Sequence, residues 1–278
     1  MKIHALHLVV LWCVLATTAT AAPPEFFAFD NGVGRGSWTP EQQAKTLKEL
    51  GYDGISYNYT NPADLALWVK TFREHGLKIY GLYVHTYADR PQTVDPAFKE
   101  AIRHLKGSDT VIWMTVSTVK DKTRSYDAEA VRNVRMMADL AKEQGLRVAL
   151  YPHAGFYVAT AADSARIIRL GGRDNAGATI NLCHEFITGN GGRLDETLRD
   201  VAPIATLVSI NGIDVAGKKH LLRLDQGDFD LAAYLARLRD AGYKGPVGLQ
   251  GYSIPGDPRE NLKASMTVWR RAAGAVWP

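Results

Sequence analysis

Three of the eight histidines in this 278-residue chain each follow closely on a short apolar run: His85, His153 and His184. An unperturbed imidazole titrates near neutral pH, so it can take up a proton and return it within one reaction cycle. These positions therefore predict acid–base chemistry by histidine. For His184, a structural histidine held by hydrogen bonds inside the fold is a competing interpretation.

Hydrogen-bonding side chains follow several of the same runs, and they are the expected substrate contacts: Asn181, Asn211, Asp214, Gln250 and Tyr252. A sugar or polyol requires donors and acceptors from several sides, together with an aromatic face. Structural alternatives stay open for some of them. An Asn before a Gly is typical of a turn, an Asp can cap a loop, and a buried Gln can bridge backbone groups.

Eight β-rich runs alternate with amphipathic helical stretches along the chain. Several are nearly continuous in apolar residues, which is typical of parallel strands buried on both faces. The predicted strands are Phe26–Asp30, Gly54–Asn58, Lys78–Val84, Val111–Val116, Arg147–Tyr151, Ala178–Leu182, Thr206–Ile210 and Val247–Gln250. The helices carry their own signals: Thr39 and Gln42 form a predicted capping box before the first helix, and Gly51 ends it.

This alternation predicts an α/β protein, a single-domain (β/α)8 TIM barrel over residues 22–278. A doubly wound open sheet is the alternative. In such barrels the functional residues follow the carboxyl ends of the strands, which is where the histidines and amides fall. The run Gly32–Gly36 resembles a phosphate-binding loop, but its spacing does not match a dinucleotide fingerprint, so we expect a flexible loop.

Residues 1–21 are predicted to be a secretory signal peptide. Lys2 precedes the apolar run Leu6–Ala16, and Ala19-Thr20-Ala21 provides small residues for cleavage. An uncleaved anchor is the alternative. We therefore expect a secreted or periplasmic protein, with no membrane association after cleavage. Cys183 is then the one cysteine left, and no internal disulfide is expected. The formal net charge of +4 is scattered, so no nucleic-acid partner is expected.

Several segments together resemble the sugar phosphate isomerase/epimerase superfamily, the xylose isomerase-like TIM barrels. They are Tyr151–Gly155, Asn181–His184, Ser209–Asp214 and the stretch from Gly227 to Gln250. The resemblance covers nearly all of the chain after the signal peptide. It implies the same barrel fold, and isomerase or epimerase chemistry on a small carbohydrate.

The resemblance also implies one divalent metal held by Glu, Asp, His and Glu from strands five to eight. This chain departs from that pattern at each position, with Tyr151 or His153, Asn181, Ser209 or Asn211, and Gln250. Amide carbonyls are weaker ligands than carboxylates for Mn²⁺ or Mg²⁺. We therefore expect no cofactor, although a weakly held Mn²⁺, Mg²⁺ or Zn²⁺ stays open.

The preferred hypothesis is an isomerase, epimerase or lyase acting on an unphosphorylated carbohydrate or polyol, with histidine as acid and base. A non-catalytic carbohydrate-binding protein is the first alternative, since the lost carboxylates would suit it. A metal-dependent hydrolase with relocated ligands is the second. The expected partner is a small-molecule carbohydrate, and the sequence leaves the oligomeric state open.

Overall fold

Eight parallel strands close into a barrel in the computed structural model, which describes residues 22–118 and 125–278. The barrel strands are β1 (Phe26–Phe29), β2 (Gly54–Asn58), β3 (Lys78–Tyr87), β4 (Val111–Ser117), β5 (Arg147–Leu150), β6 (Ala176–Asn181), β7 (Ala205–Ile210) and β10 (Val247–Leu249), and two further strands, β8 (Gly212–Asp214) and β9 (Lys219–Leu222), lie outside it. Closure comes from β1, which pairs in parallel with β2 on one side and β10 on the other. The predicted TIM barrel is confirmed.

Helices surround the barrel. They are α1 (Pro40–Leu50), α2 (Pro62–Glu74), α3 (Pro96–Ala101), α4 (Asp127–Lys142), α5 (Ala161–Gly171), α6 (Leu182–Ile187), α7 (Leu194–Val201), α8 (Leu231–Asp240) and α9 (Pro258–Val276). The predicted capping box is present, because Gln42 N–H donates to Thr39 Oγ1 and Thr39 N–H donates to Gln42 Oε1. Gly51 ends α1 with a φ of 85°, which favours glycine.

The observed bounds of the third and sixth strands differ from the predicted ones, and each difference changes the element in which a histidine lies. Strand β3 continues to Tyr87 because it pairs with β4 as far as Ser117, so His85 lies within the strand. Strand β6 ends at Asn181 and α6 begins at once, so His184 lies in a short helix.

Aromatic side chains fill the inside of the barrel. Phe29 and Trp113 meet edge to face with centroids 4.9 Å apart, and Trp113 packs the same way on Tyr151 at 4.8 Å. The indole of Trp113 donates to Thr179 Oγ1 at 2.8 Å, so its buried N–H is satisfied. This packed interior forms a solid floor beneath the carboxyl ends of the strands.

The two short strands β8 and β9 form an antiparallel hairpin between β7 and α8, outside the barrel. The sequence did not predict it. Within the described ranges, no helix has the length and apolar character needed to span a bilayer. The predicted signal peptide lies outside the described residues and stays a prediction.

Candidate functional site

A cavity of about 420 Å³ opens at the carboxyl ends of the strands. Its floor is the aromatic layer that fills the top of the barrel, and its walls are mostly uncharged polar side chains. The lining residues that matter most here are Asp30, Asn31, Arg35, His153, His184 and Gln250. The cavity therefore lies where TIM barrels place their chemistry, and it combines aromatic faces with hydrogen-bonding groups.

His153 and His184 lie side by side on one wall of this cavity. Their ring centroids are 4.2 Å apart and the rings are tilted by 43°. His153 comes from the loop after β5, and His184 from the first turns of α6. The loop also brings Phe156 against His153, stacked with ring centroids 4.2 Å apart. The His153 imidazole thus contacts two rings.

The hydrogen bonds of His153 define its tautomer. Nδ1 lies 2.9 Å from the carbonyl oxygen of Ala154, which can only accept, so Nδ1 carries the hydrogen. Nε2 then has a free lone pair, and within the described ranges no group donates to it. Burial lowers the pKa of His153 below its ordinary value. At neutral pH this imidazole is therefore uncharged and able to accept a proton.

His184 has the opposite tautomer. The backbone N–H of Ala154 donates to its Nδ1 at 3.2 Å, so the hydrogen of the neutral ring lies on Nε2. Burial, with the neighbouring His153 as a smaller contribution, lowers the pKa of His184 to about 3. His184 is therefore a neutral hydrogen-bond donor at physiological pH. Its contact with Ala154 also positions the carbonyl that orients His153.

His85 is not among the residues that line the cavity. Its side chain is exposed, and its Nδ1 lies 2.6 Å from Thr115 Oγ1. The His85 and Phe156 ring centroids are 5.1 Å apart at an interplanar angle of 68°, and Phe156 in turn stacks on His153. The acid–base role expected of His85 stays a prediction. Burial lowers the pKa of His85, with smaller contributions from His153 and Arg90.

Tyr151, Asn181 and Gln250 meet at the carboxyl ends of β5, β6 and β10. The Asn181 amide nitrogen donates to the phenolic oxygen of Tyr151, and Gln250 Nε2 donates to the same oxygen at 3.3 Å. All three side chains are at most 5% exposed. Tyr151 and Gln250 border the cavity, whereas Asn181 lies beneath it. Asn181 therefore reaches the cavity only through Tyr151.

Asn211 and Asp214 are not among the lining residues, because both serve the β8–β9 hairpin. The Asn211 amide donates to the carbonyls of Gly212 and His220 at 2.7 and 2.8 Å. The Asp214 carboxylate accepts from Gly217 N–H within the hairpin turn at 2.7 Å. Tyr252, by contrast, borders the cavity with 59% of its surface exposed. The substrate-contact roles expected of these residues stay predictions.

An ion pair in the cavity was missed by the sequence interpretation. Arg35 donates to Asp30, whose other carboxylate oxygen accepts from Asn58 N–H at 3.0 Å. Arg35 belongs to the glycine-rich run that we expected to be only a flexible loop. The sequence signal for this ion pair was the cationic side chain of Arg35, five residues after Asp30 at the end of the first strand. Among the described lining residues, Arg35 is the one Lys or Arg side chain, and its charge is paired with Asp30.

The donor set at the strand ends does not fit the divalent metal that the resemblance implies. The ends of β5, β6 and β10 supply a phenol and two amides that are hydrogen-bonded through the phenolic oxygen. Strand β7 supplies Ser209, a buried neutral hydroxyl. No carboxylate is available there to offset the hydration that a hard cation would lose. Within residues 22–118 and 125–278, no cluster of three or more His, Cys, Asp or Glu could hold a metal.

Residues 44–272 match the family model described as xylose isomerase-like TIM barrel. Among curated proteins, no sequence matches this chain. The match covers the barrel from α1 to the last helix, so it includes each strand-end position discussed above except those after β1.

Several solved structures share the fold at low sequence identity. An L-ribulose 3-epimerase has a TM-score of 0.72 and 18% identity, with 92% of this chain and 96% of that chain covered. A D-allulose 3-epimerase from Methylomonas sp. has a TM-score of 0.71 and 18% identity, with 91% and 99% covered. A xylose isomerase-like TIM barrel/4-hydroxyphenylpyruvate dioxygenase fusion protein has a TM-score of 0.70 and 17% identity. This chain is 92% covered there and spans 43% of the fusion protein.

Proposed function

This chain belongs to the xylose isomerase-like TIM barrel family, and we propose that it transfers protons on an unphosphorylated carbohydrate or polyol as an isomerase, epimerase or lyase. The observation that carries the proposal is the His153 imidazole. Its hydrogen is fixed on Nδ1 by Ala154, and its free Nε2 belongs to a ring that borders the cavity. A neutral, oriented imidazole is a general base suited to pH 7.

The cavity favours a neutral, hydroxyl-rich molecule. Its described lining has one carboxylate and one guanidinium, Asp30 and Arg35, which are paired with each other. A phosphate dianion would find no unpaired cation among these residues. Amides such as Asn31 and Gln250 offer both donors and acceptors to hydroxyl groups, and Tyr83 and Trp113 add aromatic surface. The two epimerases of similar fold are named for the sugars D-allulose and L-ribulose.

His153 Nε2 takes the hydrogen from a carbon next to a carbonyl. The C–H electron pair forms the new C=C bond, and the carbonyl π pair moves onto the oxygen to give an enediolate. When the proton of the neighbouring hydroxyl moves to that oxygen and His153 returns its proton to the former carbonyl carbon, the isomer forms. A solvent proton delivered to the other face of the original carbon gives the epimer, and His153 then loses its proton to solvent. Departure of a hydroxyl from the next carbon as water, with the proton from His153, gives instead a lyase product. His184, as a neutral Nε2–H donor, can hold a substrate oxygen beside His153.

Exchange with solvent deuterium tests this proposal. The protein is incubated in D₂O with unphosphorylated aldoses, ketoses, uronates and inositols, and the loss of each C–H signal is followed by NMR. At least one member should exchange next to its carbonyl, and His153→Gln should abolish the exchange. His104→Gln is the matched control, since it removes an exposed histidine far from the cavity. Absence of exchange across the panel would overturn the proposal.

A non-catalytic carbohydrate-binding protein is the second candidate. The observation that favours it is the neutral Tyr151–Asn181–Gln250 network, which stands where the family resemblance implies the two acidic proton-transfer residues. Calorimetric titration with the same panel separates the two. Saturable binding of a sugar that undergoes no exchange would support this candidate and contradict the enzyme.

Secretion or export to the periplasm is part of the proposal. Its support is the charged start, apolar run and small residues of positions 1–21. An exported protein would meet unphosphorylated sugars, in agreement with the charge of the cavity. N-terminal sequencing of protein recovered outside the cytoplasm should begin at Ala22, and a cytoplasmic protein that retains Met1 would contradict it.

A further inference from the structure

The hydrogen bonds around Gln250 fix which end of its amide faces Tyr151. Gln250 Oε1 accepts from Asn31 Nδ2 at 2.8 Å and from the backbone N–H of Tyr252 at 3.1 Å. Both of these groups are donors, so the amide oxygen must be the atom between them. The opposite end, Nε2, therefore points to the phenolic oxygen, 3.3 Å away. An amide nitrogen donates hydrogen bonds and does not accept them.

Asn181 is oriented in the same sense. Its amide nitrogen donates to the phenolic oxygen of Tyr151, and its Oδ1 accepts from the Cys183 thiol, whose Sγ is 3.1 Å away. Burial raises the pKa of the Cys183 thiol to about 12, so the thiol keeps its hydrogen. Both amides on the phenolic oxygen are thus donors, and neither can accept the hydrogen of the Tyr151 hydroxyl.

The hydroxyl hydrogen of Tyr151 is consequently left for a third partner. Within the described ranges, no group is placed to accept it, and Tyr151 borders the cavity. Burial raises the pKa of Tyr151 well above its ordinary value, so the phenol stays protonated at neutral pH. A buried hydroxyl with both lone pairs engaged is a preorganised donor aimed at whatever occupies the cavity.

We propose that Tyr151 is a catalytic residue that donates its O–H to the carbonyl oxygen of an open-chain sugar. This inference rests on the proposed function and names the carbonyl-polarising group of the same site. As His153 removes the neighbouring C–H hydrogen, the C–H pair becomes the C=C bond. The carbonyl π pair moves onto oxygen, which Tyr151 stabilises by hydrogen bonding or protonates. The Asn181 and Gln250 amides then stabilise the electron-rich phenolic oxygen.

Tyr151 and His153 lie close enough to contact adjacent atoms of one substrate. The rings of Tyr151 and His153 have centroids 6.4 Å apart and an interplanar angle of 37°, and both border the same cavity. A carbonyl carbon and its neighbour are adjacent atoms, so the two groups must reach them from nearby positions. Tyr151 lies in the floor of the cavity and His153 in its wall. Tyr151 would thus polarise the carbonyl without a metal.

Infrared difference spectroscopy with dihydroxyacetone as the probe tests the inference. It is an unphosphorylated hydroxyketone with a single carbonyl band. In the wild-type protein at saturating probe, the bound carbonyl band should shift to lower wavenumber. In Tyr151→Phe it should return to the unbound position, and the rate of solvent exchange should fall by roughly 10²–10³ with a smaller change in KM. A carbonyl band that is unshifted in the wild type, or equally shifted in Tyr151→Phe, would overturn the inference.

Two further proteins keep the test decisive. Tyr243→Phe removes a comparable buried hydroxyl, one that bonds the carbonyl of Pro246 at the opposite end of the barrel, and it should leave band and rate unchanged. If Tyr151→Phe does not fold, Tyr151→3-fluorotyrosine keeps the hydroxyl as a stronger acid. That protein should shift the carbonyl band further than the wild type does, and an unmoved band would count against the inference.

The outcomes distinguish this inference from the proposed function. A band that depends on Tyr151 in a protein that exchanges no sugar proton shows that Tyr151 binds the carbonyl, and it overturns the proposed catalysis together with the catalytic role of Tyr151. Exchange that depends on His153, together with a carbonyl band at the same position in the wild type and in Tyr151→Phe, supports the catalysis and overturns the inference.

Discussion

The imidazole rings of His153 and His184 lie 4.2 Å apart, yet one backbone residue gives them opposite tautomers. The carbonyl of Ala154 accepts from His153 Nδ1, and the N–H of the same residue donates to His184 Nδ1. One ring therefore has its lone pair on Nε2 and the other has its hydrogen there. A base and a neutral donor are thus placed side by side without any charged residue between them.

The buried His184 should make the fold sensitive to acid. Its pKa is about 3 in the folded protein, against an ordinary value of 6.5. Between about pH 6.5 and 3, the His184 imidazole binds a proton in the unfolded chain but not in the folded chain. The contribution of neutral His184 to the free energy of unfolding is therefore fully present above about pH 6.5. It is lost as the pH falls towards 3, by up to about 1.4 kcal/mol per pH unit.

Urea denaturation at pH 7, 5.5 and 4.5 measures this loss. His184→Gln should be less stable at pH 7 and should show a shallower decline with acid than the wild type. His104→Gln should retain the wild-type slope. Equal slopes in His184→Gln and wild type would show that His184 titrates normally in the folded state.

A close backbone contact should hold the cavity in shape. A Cβ on Gly251 would lie 2.8 Å from the Cα of Gly32. These glycines follow Gln250 and Asn31, whose side chains are hydrogen-bonded. Gly251→Ala should therefore cost about 1–3 kcal/mol of stability through overpacking and should weaken sugar binding.

The matched control is Gly274→Ala in α9, where an added Cβ meets nothing within 4 Å. Replacing a helical glycine there should stabilise the protein by about 0.5–1 kcal/mol and leave binding unchanged. Urea denaturation and calorimetric titration with a sugar from the exchange panel measure both effects. A Gly251→Ala protein with unaltered stability and binding would contradict the packing argument.

Phe156 should act on the reaction through His153. Its ring stacks on that imidazole at 4.2 Å with an angle of 22°, and it is not among the cavity-lining residues. Phe156→Ala frees the imidazole to rotate, so the exchange rate should fall roughly tenfold with little change in affinity, since stacked pairs contribute about 0.5–1.5 kcal/mol. Phe229→Ala, which removes a partly buried ring elsewhere, should leave the rate unchanged. An unaffected rate in Phe156→Ala would refute this positioning role.

Restoring carboxylates should restore metal binding. The triple variant Tyr151→Glu, Asn181→Asp, Gln250→Glu replaces the neutral network with the acidic set that the family resemblance implies. Mn²⁺ at one hundred times its Kd should then stabilise the variant by about 2.7 kcal/mol, visible as a raised Tm that a chelator reverses. Tyr151→Gln serves as the neutral control and should show no response. A wild-type protein that already carries close to one equivalent of metal would contradict the account.

The strands were predictable because buried parallel strands leave apolar runs, and because glycines such as Gly51 end the helices between them. Local sequence therefore located the carboxyl ends of the strands. It did not show which strand-end side chains face the cavity, since this depends on strand register and twist. Asn211 is an example: its amide is engaged by a hairpin that forms through pairing between residues five to ten positions apart.

Tyr151 ends the fifth predicted strand, where the family resemblance implies a Glu ligand, and nothing in the sequence indicated that it would contact a substrate. Its proposed role depends on Asn181 and Gln250, which are 30 and 99 residues away. Arg35 was missed because the surrounding glycines suggested a loop without fixed contacts. Both cases show that a polar site built from distant residues leaves little trace in local sequence.

Solvent exchange in the presence of a chelator tests the central claim most directly. The wild-type protein, His153→Gln and His104→Gln are incubated in D₂O with the sugar panel, each with and without EDTA. We expect exchange next to a carbonyl in the wild type and in His104→Gln, unchanged by EDTA, and none in His153→Gln. Exchange that EDTA abolishes, or that survives in His153→Gln, would contradict a histidine-based reaction at this site.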